Sequence, residues 1–384
     1  MQMKRRNIDK RQDFLMNLAR PFVRIWMNKD TKRIVHLDEG VNLRRKEPYI
    51  LLSNHTFLFD VIHVPLLCKK VPFIVASQVL FKKKSTRFLV THIAHVIAKS
   101  KGTSDTGTVR ELIGAVKRGY PILIFPEGDT TFYGETNYIE ESTMKLIKKL
   151  EIDVITCNVK GGYLSKPRWA TGKRKNRRAE FTYELTIPKE TIKDLTVDDI
   201  NGIVKKALYN NDYTYQRTHM IPHPGKTLAE GMENVVYACP FCESIATIKT
   251  EGNKIQCTSC GHEGFVDSYG FIQDFKYDNL IDWDKFQKNY QDQLKNSTIK
   301  TTGDLFFLNP EEAHMDEIGT VNFEYKDHSF CISGAYEEII PIQEISNAII
   351  TLRRDFGFLY QNKSYLVKLN QYSAAFLRIA QNKY

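Results

Sequence analysis

Tyr49-Ile50-Leu51-Leu52 runs directly into Ser53-Asn54-His55, and some 70 residues later Pro121-Ile122-Leu123-Ile124-Phe125 runs directly into Pro126-Glu127-Gly128. Each is a short, uninterrupted apolar run of the kind a strand buried on both faces requires. Between them Val109, Leu112, Ile113 and Val116 repeat at helical spacing, with Gly119 placed as a stop. Strand, helix, strand predicts an α/β sheet. Ligands of open α/β sheets bind outside the carboxyl ends of the strands, so the two polar tips are expected to face one cleft.

The first tip continues as Thr56-Phe57-Leu58-Phe59-Asp60. On a regular helix, five residues turn about 500°, leaving His55 and Asp60 roughly 140° apart, so the two can meet only if His55 sits in the turn before the helix. An Asp that accepts from one imidazole nitrogen fixes the tautomer and leaves the other nitrogen to take a hydroxyl proton. The division of labour is that of a catalytic triad, with a substrate alcohol as the nucleophile. At the second tip Glu127 supplies a carboxylate, and Gly128 allows a ligand close to the backbone.

Asn54-His55 with Asp60, followed at this distance by Phe125-Pro126-Glu127-Gly128, resembles the glycerolipid acyltransferase family, of the 1-acylglycerol-3-phosphate acyltransferase type. The resemblance covers about residues 30–235. It implies an acyltransferase-like mixed sheet flanked by helices, and transfer of a fatty acyl group from a thioester, acyl-ACP or acyl-CoA, to the hydroxyl of a lipid acceptor such as a lysophospholipid. His55 is then the general base, Asp60 its orienting partner, and Asn54, Lys99, Glu127 and Gly128 are expected at the acceptor site. The chain departs from the pattern in three places. Lys99, in His95-Val96-Ile97-Ala98-Lys99, and Thr130 stand where the family commonly has arginines, and Val154-Ile155-Thr156-Cys157-Asn158 replaces an apolar run with a proline. Lys holds a phosphate as a point charge without the bidentate fork of Arg, and Thr brings no charge. A noncatalytic lipid- or protein-binding scaffold that kept the fold is the alternative these departures favour, whereas His55, Asp60 and Glu127 favour the enzyme.

The 384 residues are 42% apolar and 26% charged, a globular composition long enough for two or three domains. The net charge of +10 is divided unevenly: residues 236–384 hold 14 Lys and Arg against 20 Asp and Glu, a net of −6, leaving +16 in residues 1–235. An anionic partner is therefore expected at the first 235 residues, and the acidic remainder repels a nucleic-acid backbone. Ten Lys and Arg against three Asp fill the first 35 residues, interleaved with Phe14, Leu15, Leu18, Phe22, Val23, Ile25 and Trp26. Such a basic amphipathic helix suits an anionic membrane interface; packing of its apolar face on its own domain is the other reading. Pro21 is expected to kink or divide it. No apolar stretch approaches the roughly 18 to 20 residues of a membrane span, and no signal peptide is present, so the expected place is the cytoplasm, peripheral on the inner face of the cell membrane. The run Lys166 to Arg178, with seven cations and no acid, is either a solvated loop or a holder of lipid headgroups, acyl carrier protein or a substrate phosphate, and Trp169 among the cations favours the membrane.

Four of seven cysteines form two knuckles, Cys239/Cys242 and Cys257/Cys260, with 14 residues between them and Gly252-Asn253 placed for a hairpin turn. Four thiolates satisfy tetrahedral zinc and close its coordination sphere, predicting a structural zinc ribbon in which His262 is not needed. Alternating runs at 321–325, 358–360 and 365–367 and an amphipathic segment from Ser373 to Ala380 predict a small β-rich domain with a terminal helix, similar in pattern to pleckstrin-homology-like domains. The expected organisation is an N-terminal membrane-interface segment (1–35), an acyltransferase domain (36–235), the ribbon (236–270) and the β-rich domain (271–384).

Overall fold

The computed structural model describes residues 2–77, 94–99, 106–309 and 314–382. The chain divides into two compact units, Met1–Ser165 with Asn176–Tyr215, and Lys166–Lys175 with Gln216–Tyr384.

The first unit is built on a seven-stranded mixed sheet, in the order β1-β7-β6-β2-β5-β3-β4. Its strands are β1 (Lys32–Leu37), β2 (Ile50–Ser53), β3 (Phe73–Ser77), β4 (Val96–Lys99), β5 (Ile122–Ile124), β6 (Val154–Lys160) and β7 (Arg178–Ile187). All neighbours run parallel except β6 and β7. The apolar runs at the two tips are the central strands β2 and β5, paired directly through Ile50↔Ile122 and Leu51↔Leu123. Alternate residues of β2 feed opposite cores: Ile50 and Leu52 join one cluster with Ile122 and Leu112, while Tyr49 and Leu51 join another with Leu123, Ile155 and Phe181. Burial on both faces is why the strand reads as an unbroken apolar run. The expected helix is present as α3 (Thr106–Lys117), following α1 (Gln2–Asp30) and α2 (Asp60–His63), and Gly119 turns the chain after it at φ +80°. Helices α4 (Glu141–Leu150) and α5 (Val197–Leu208) cover the same face of the sheet as α3, contributing Met144, Ile147 and Ile200 to that core.

Helix α1 is continuous, so Pro21 does not divide it. It docks with its polar side inward. Asp9 is buried and accepts from Arg118 Nε at 2.6 Å. Asp13 accepts from Tyr120 Oη at 2.6 Å and pairs with His95 Nε2 at 3.1 Å. Arg20 donates to the carbonyl of Cys68 at 2.6 Å and to that of Lys69 at 3.1 Å. Phe14, Leu18, Phe22, Ile25 and Trp26 face the other way and are 55% to 72% exposed. That face is largely open, although Leu15 and Val23 are half-buried and Trp26 meets Phe59.

The second unit holds two antiparallel sheets. The smaller has four strands, β8 (Ile248–Glu251), β9 (Lys254–Cys257), β10 (Glu263–Val266) and β11 (Ile272–Gln273), and Gly252-Asn253 forms the turn between the first two, with Gly252 at φ +58°. The larger has seven, β12 (Ile299–Asn309), β13 (His314–Lys326), β14 (Ser329–Gly334), β15 (Glu338–Pro341), β16 (Ser346–Thr351), β17 (Asp355–Tyr360) and β18 (Lys363–Leu369). After α6 (Leu280–Gln287), the last helix α7 (Ser373–Asn382) packs Phe376 against Phe323, Phe330 and Phe356 of this sheet. The first part of the basic run belongs to this unit and is structural. Trp169 is buried with the Arg174 guanidinium 5.8 Å from its ring, and Arg168 donates to the carbonyls of Ile350 and Leu352. Trp169 is thus core rather than a membrane anchor.

Candidate active site

His55 lies in the turn after β2, and Asp60 is the first residue of α2, which is the arrangement that lets residues five apart meet. The imidazole Nδ1 is 2.8 Å from Asp60 Oδ1 and 3.0 Å from Oδ2. Asp60 is fully buried, and its Oδ2 also accepts from the amides of Thr56 at 2.8 Å and Phe57 at 3.2 Å. Those bonds close the turn and fix the carboxylate before it meets the ring. With Nδ1 committed to Asp60, Nε2 is the nitrogen available to a hydroxyl. The ring is 14% exposed and packs on Phe125 with centroids 4.5 Å apart. Burial works against the imidazolium, but the charge and hydrogen bond of Asp60, with Asp129 and Glu127 beyond, outweigh it and hold the pKa above that of a free histidine.

The second tip is tied to the first through the main chain of His55. Glu127 Oε1 accepts from the His55 amide at 2.7 Å and Oε2 from the Asn137 amide at 2.6 Å, while the Thr131 amide donates to the His55 carbonyl at 2.9 Å. Burial pushes the Glu127 carboxyl up to about 7, against those two amide bonds. Asn54 is likewise turned to the backbone: its Nδ2 donates to the Val159 carbonyl at 2.8 Å and its Oδ1 accepts from the Val159 amide at 2.7 Å. So β6, the strand that departs from the family pattern, is bracketed to the turn that carries His55. Gly128 takes φ +73° with open space where a side chain would stand. Lys99 ends β4; its side chain lies outside the described residues. Asn54 and Glu127, expected at the acceptor site, both hydrogen-bond to backbone groups. Sequence reasoning missed Thr131, Asn137 and Gly162. A Cβ on Gly162 would run into the Thr56 hydroxyl and the Phe57 ring, a close approach whose one signal in the sequence is the pair Gly161-Gly162 after an apolar strand.

In the second unit the sulfurs of Cys239, Cys242, Cys257 and Cys260 all lie within 4.8 Å of one another. Cys239 and Cys260 are 3.9 Å apart and Cys242 and Cys257 3.7 Å. A tetrahedron with Zn–S bonds of about 2.3 Å has edges of about 3.8 Å, so the donor set fits zinc. Burial opposes ionisation of Cys257, but hydrogen bonding from Thr247, from the amides of Cys260 and Ser259, and from Ser244 brings its thiol down to about 6. His262 is engaged elsewhere, with Nε2 2.6 Å from the Asp274 carbonyl and its ring 3.8 Å from that of Phe241.

Residues 34–160 match the family model described as Acyltransferase. Among solved structures, the chain is similar to the 1-acyl-sn-glycerophosphate (LPA) acyltransferase PlsC from Thermotoga maritima, at 15% identity over 54% of this chain and 95% of that one, with a TM-score of 0.36. It is also similar to the N-terminal PH domain of human ARAP2, at 16% identity over 22% of this chain and 77% of that one, with a TM-score of 0.18. No curated protein matches the sequence. The family match spans both strand tips, the His55–Asp60 pair and Glu127.

Proposed function

We propose that the protein is a peripheral membrane O-acyltransferase that moves a fatty acyl group from an acyl thioester, acyl-ACP or acyl-CoA, to the hydroxyl of a lysophospholipid or related glycerolipid. His55 Nε2 takes the hydroxyl proton as the oxygen attacks the thioester carbonyl. The tetrahedral adduct collapses by breaking the C–S bond, and the imidazolium returns the proton to the leaving thiolate. The new ester and the free thiol balance the reaction without a covalent enzyme intermediate. Asp60 holds the reacting tautomer and offsets the charge that forms on the ring. The observation that carries this reading is the 2.8 Å His55–Asp60 pair at the tip of β2, tied through Glu127 to the tip of β5.

Two further assignments belong to it. The outward apolar face of α1, on a chain whose first 235 residues are strongly basic, suits an anionic bilayer surface on the inner face of the cell membrane. Trp26 also packs at a tilt against Phe59 of the catalytic turn with centroids 5.8 Å apart, so the face that would meet lipid adjoins the turn that would act on it. Among the described residues no helix is long and apolar enough to cross a membrane. Cys239, Cys242, Cys257 and Cys260 would hold one structural zinc, whose closed coordination sphere leaves it no part in the acyl transfer. The test is incubation of purified protein with labelled acyl-CoA or acyl-ACP and lysophospholipid vesicles, following thiol release and the mass of the acylated lipid.

A further inference from the structure

Asp212 is fully buried, 157 positions along the chain from His55, and its carboxylate is saturated by donors from the first unit. Oδ1 accepts from the Gly161 amide at 2.9 Å and from Asn210 Nδ2 at 2.6 Å. Oδ2 accepts from the Tyr163 amide at 2.7 Å and the Leu164 amide at 3.3 Å. Both ends of this arrangement reach the catalytic turn. The 161–164 backbone carries Gly162, which backs directly onto Thr56 and Phe57, the residues whose amides hold Asp60. On the other side, the Asp212 amide donates to the Gly134 carbonyl at 2.9 Å, and Tyr163 Oη donates to the Phe132 carbonyl at 2.8 Å. Those carbonyls belong to the loop that holds His55, through the Thr131 amide on its carbonyl.

The geometry points to Asp212 as a positioning residue for the His55 base: it is the buried joint that clamps the exit of β6 and the 131–135 loop behind the two halves of the catalytic turn. A buried carboxylate with four donors is costly to place and costly to disturb, because each amide that loses it stays buried and unpaired. Asp212→Asn keeps the volume and turns an NH2 group toward at least one of those donors. The turn then loses its backing, and displacement of a base by about 1 Å costs on the order of 100-fold in rate.

The inference rests on His55 being the base, and the test separates the two. In the acyl-transfer assay with the full chain, Asp212→Asn is expected to lower kcat by about 10- to 100-fold while the KM values for thioester and lysolipid stay within about threefold. The low-field imidazole proton resonance of the His55–Asp60 pair should shift or broaden in the same variant. Tyr163→Phe removes the hydroxyl that donates to the Phe132 carbonyl, keeps the buried ring, and is expected to lower kcat by several-fold; it decides the matter if Asp212→Asn does not fold. Asp199→Ala, which removes the exposed cap of α5 through the Thr196 pair, controls for destabilisation and should leave kcat unchanged. Wild-type kcat and an unaltered imidazole resonance in folded Asp212→Asn, or wild-type kcat in Tyr163→Phe where Asp212→Asn does not fold, overturn the positioning role. An active His55→Ala overturns the base assignment instead, whatever Asp212 does.

Discussion

Replacing Phe14 and Phe22 together by serine tests the reading of α1 as a membrane-facing helix. Both rings point away from the domain, about 70% exposed, while the helix is held by Asp9, Asp13 and Arg20 on its opposite side. Fully burying a Phe side chain is worth roughly 1.5–3 kcal/mol, so the part of each ring still open to a bilayer is worth about 1–2 kcal/mol. The double substitution should weaken partitioning onto lipid by about 2–4 kcal/mol, or roughly 30- to several-hundred-fold. Folding should be unaffected to within about 0.5 kcal/mol, because no buried contact is lost. Cosedimentation with phosphatidylcholine vesicles, with and without phosphatidylglycerol, measures the partitioning, and thermal unfolding without lipid measures the stability. Wild-type partitioning by the folded double variant would refute the reasoning.

Other outcomes follow from the same geometry. Asp60→Asn should lower kcat by about 10³, since the amide cannot serve the Thr56 and Phe57 amides and the imidazole together; steady-state acyl transfer checks it, with a rate near wild type counting against the pair. Freshly purified protein should contain one zinc by elemental analysis, and a strong chelator should red-shift the emission of buried Trp283, whose indole donates to the Ala238 carbonyl beside Cys239. Burial raises the Glu127 pKa from 4.5 to about 7 in the fold, so folded protein binds more protons than unfolded protein across that window and stability falls as pH rises through it. Relative to Glu127→Gln, the wild type should lose about 3 kcal/mol between pH 4.5 and 7, measurable as the pH slope of denaturant midpoints.

What was legible in the sequence was what is local. The two apolar runs and the His55-to-Asp60 spacing are contiguous, so the central strands, the His55–Asp60 turn and the helix stopped by Gly119 could all be read from their own residues. The knuckles and their Gly252-Asn253 turn were legible for the same reason. What escaped depends on partners far along the chain. The face on which α1 docks is decided by Arg118 and Tyr120, more than 100 positions away, and amphipathicity alone does not say which face turns inward. Asn54 and Glu127 carry the right chemistry for a ligand, but their bonds to the Val159, His55 and Asn137 backbone come from residues 105, 72 and 10 positions away and leave no local signal. Trp169 among seven cations resembled a membrane anchor because charge density is visible in sequence, whereas the packing that buries the ring is not.

The most direct measurement is the acyl-transfer rate of purified His55→Ala with labelled acyl thioester and lysophospholipid, read as thiol released and lipid ester formed, beside a circular dichroism spectrum that establishes folding. A folded variant slowed by about 10³ or more is the predicted result. A folded variant transferring acyl groups within tenfold of wild type would contradict the account.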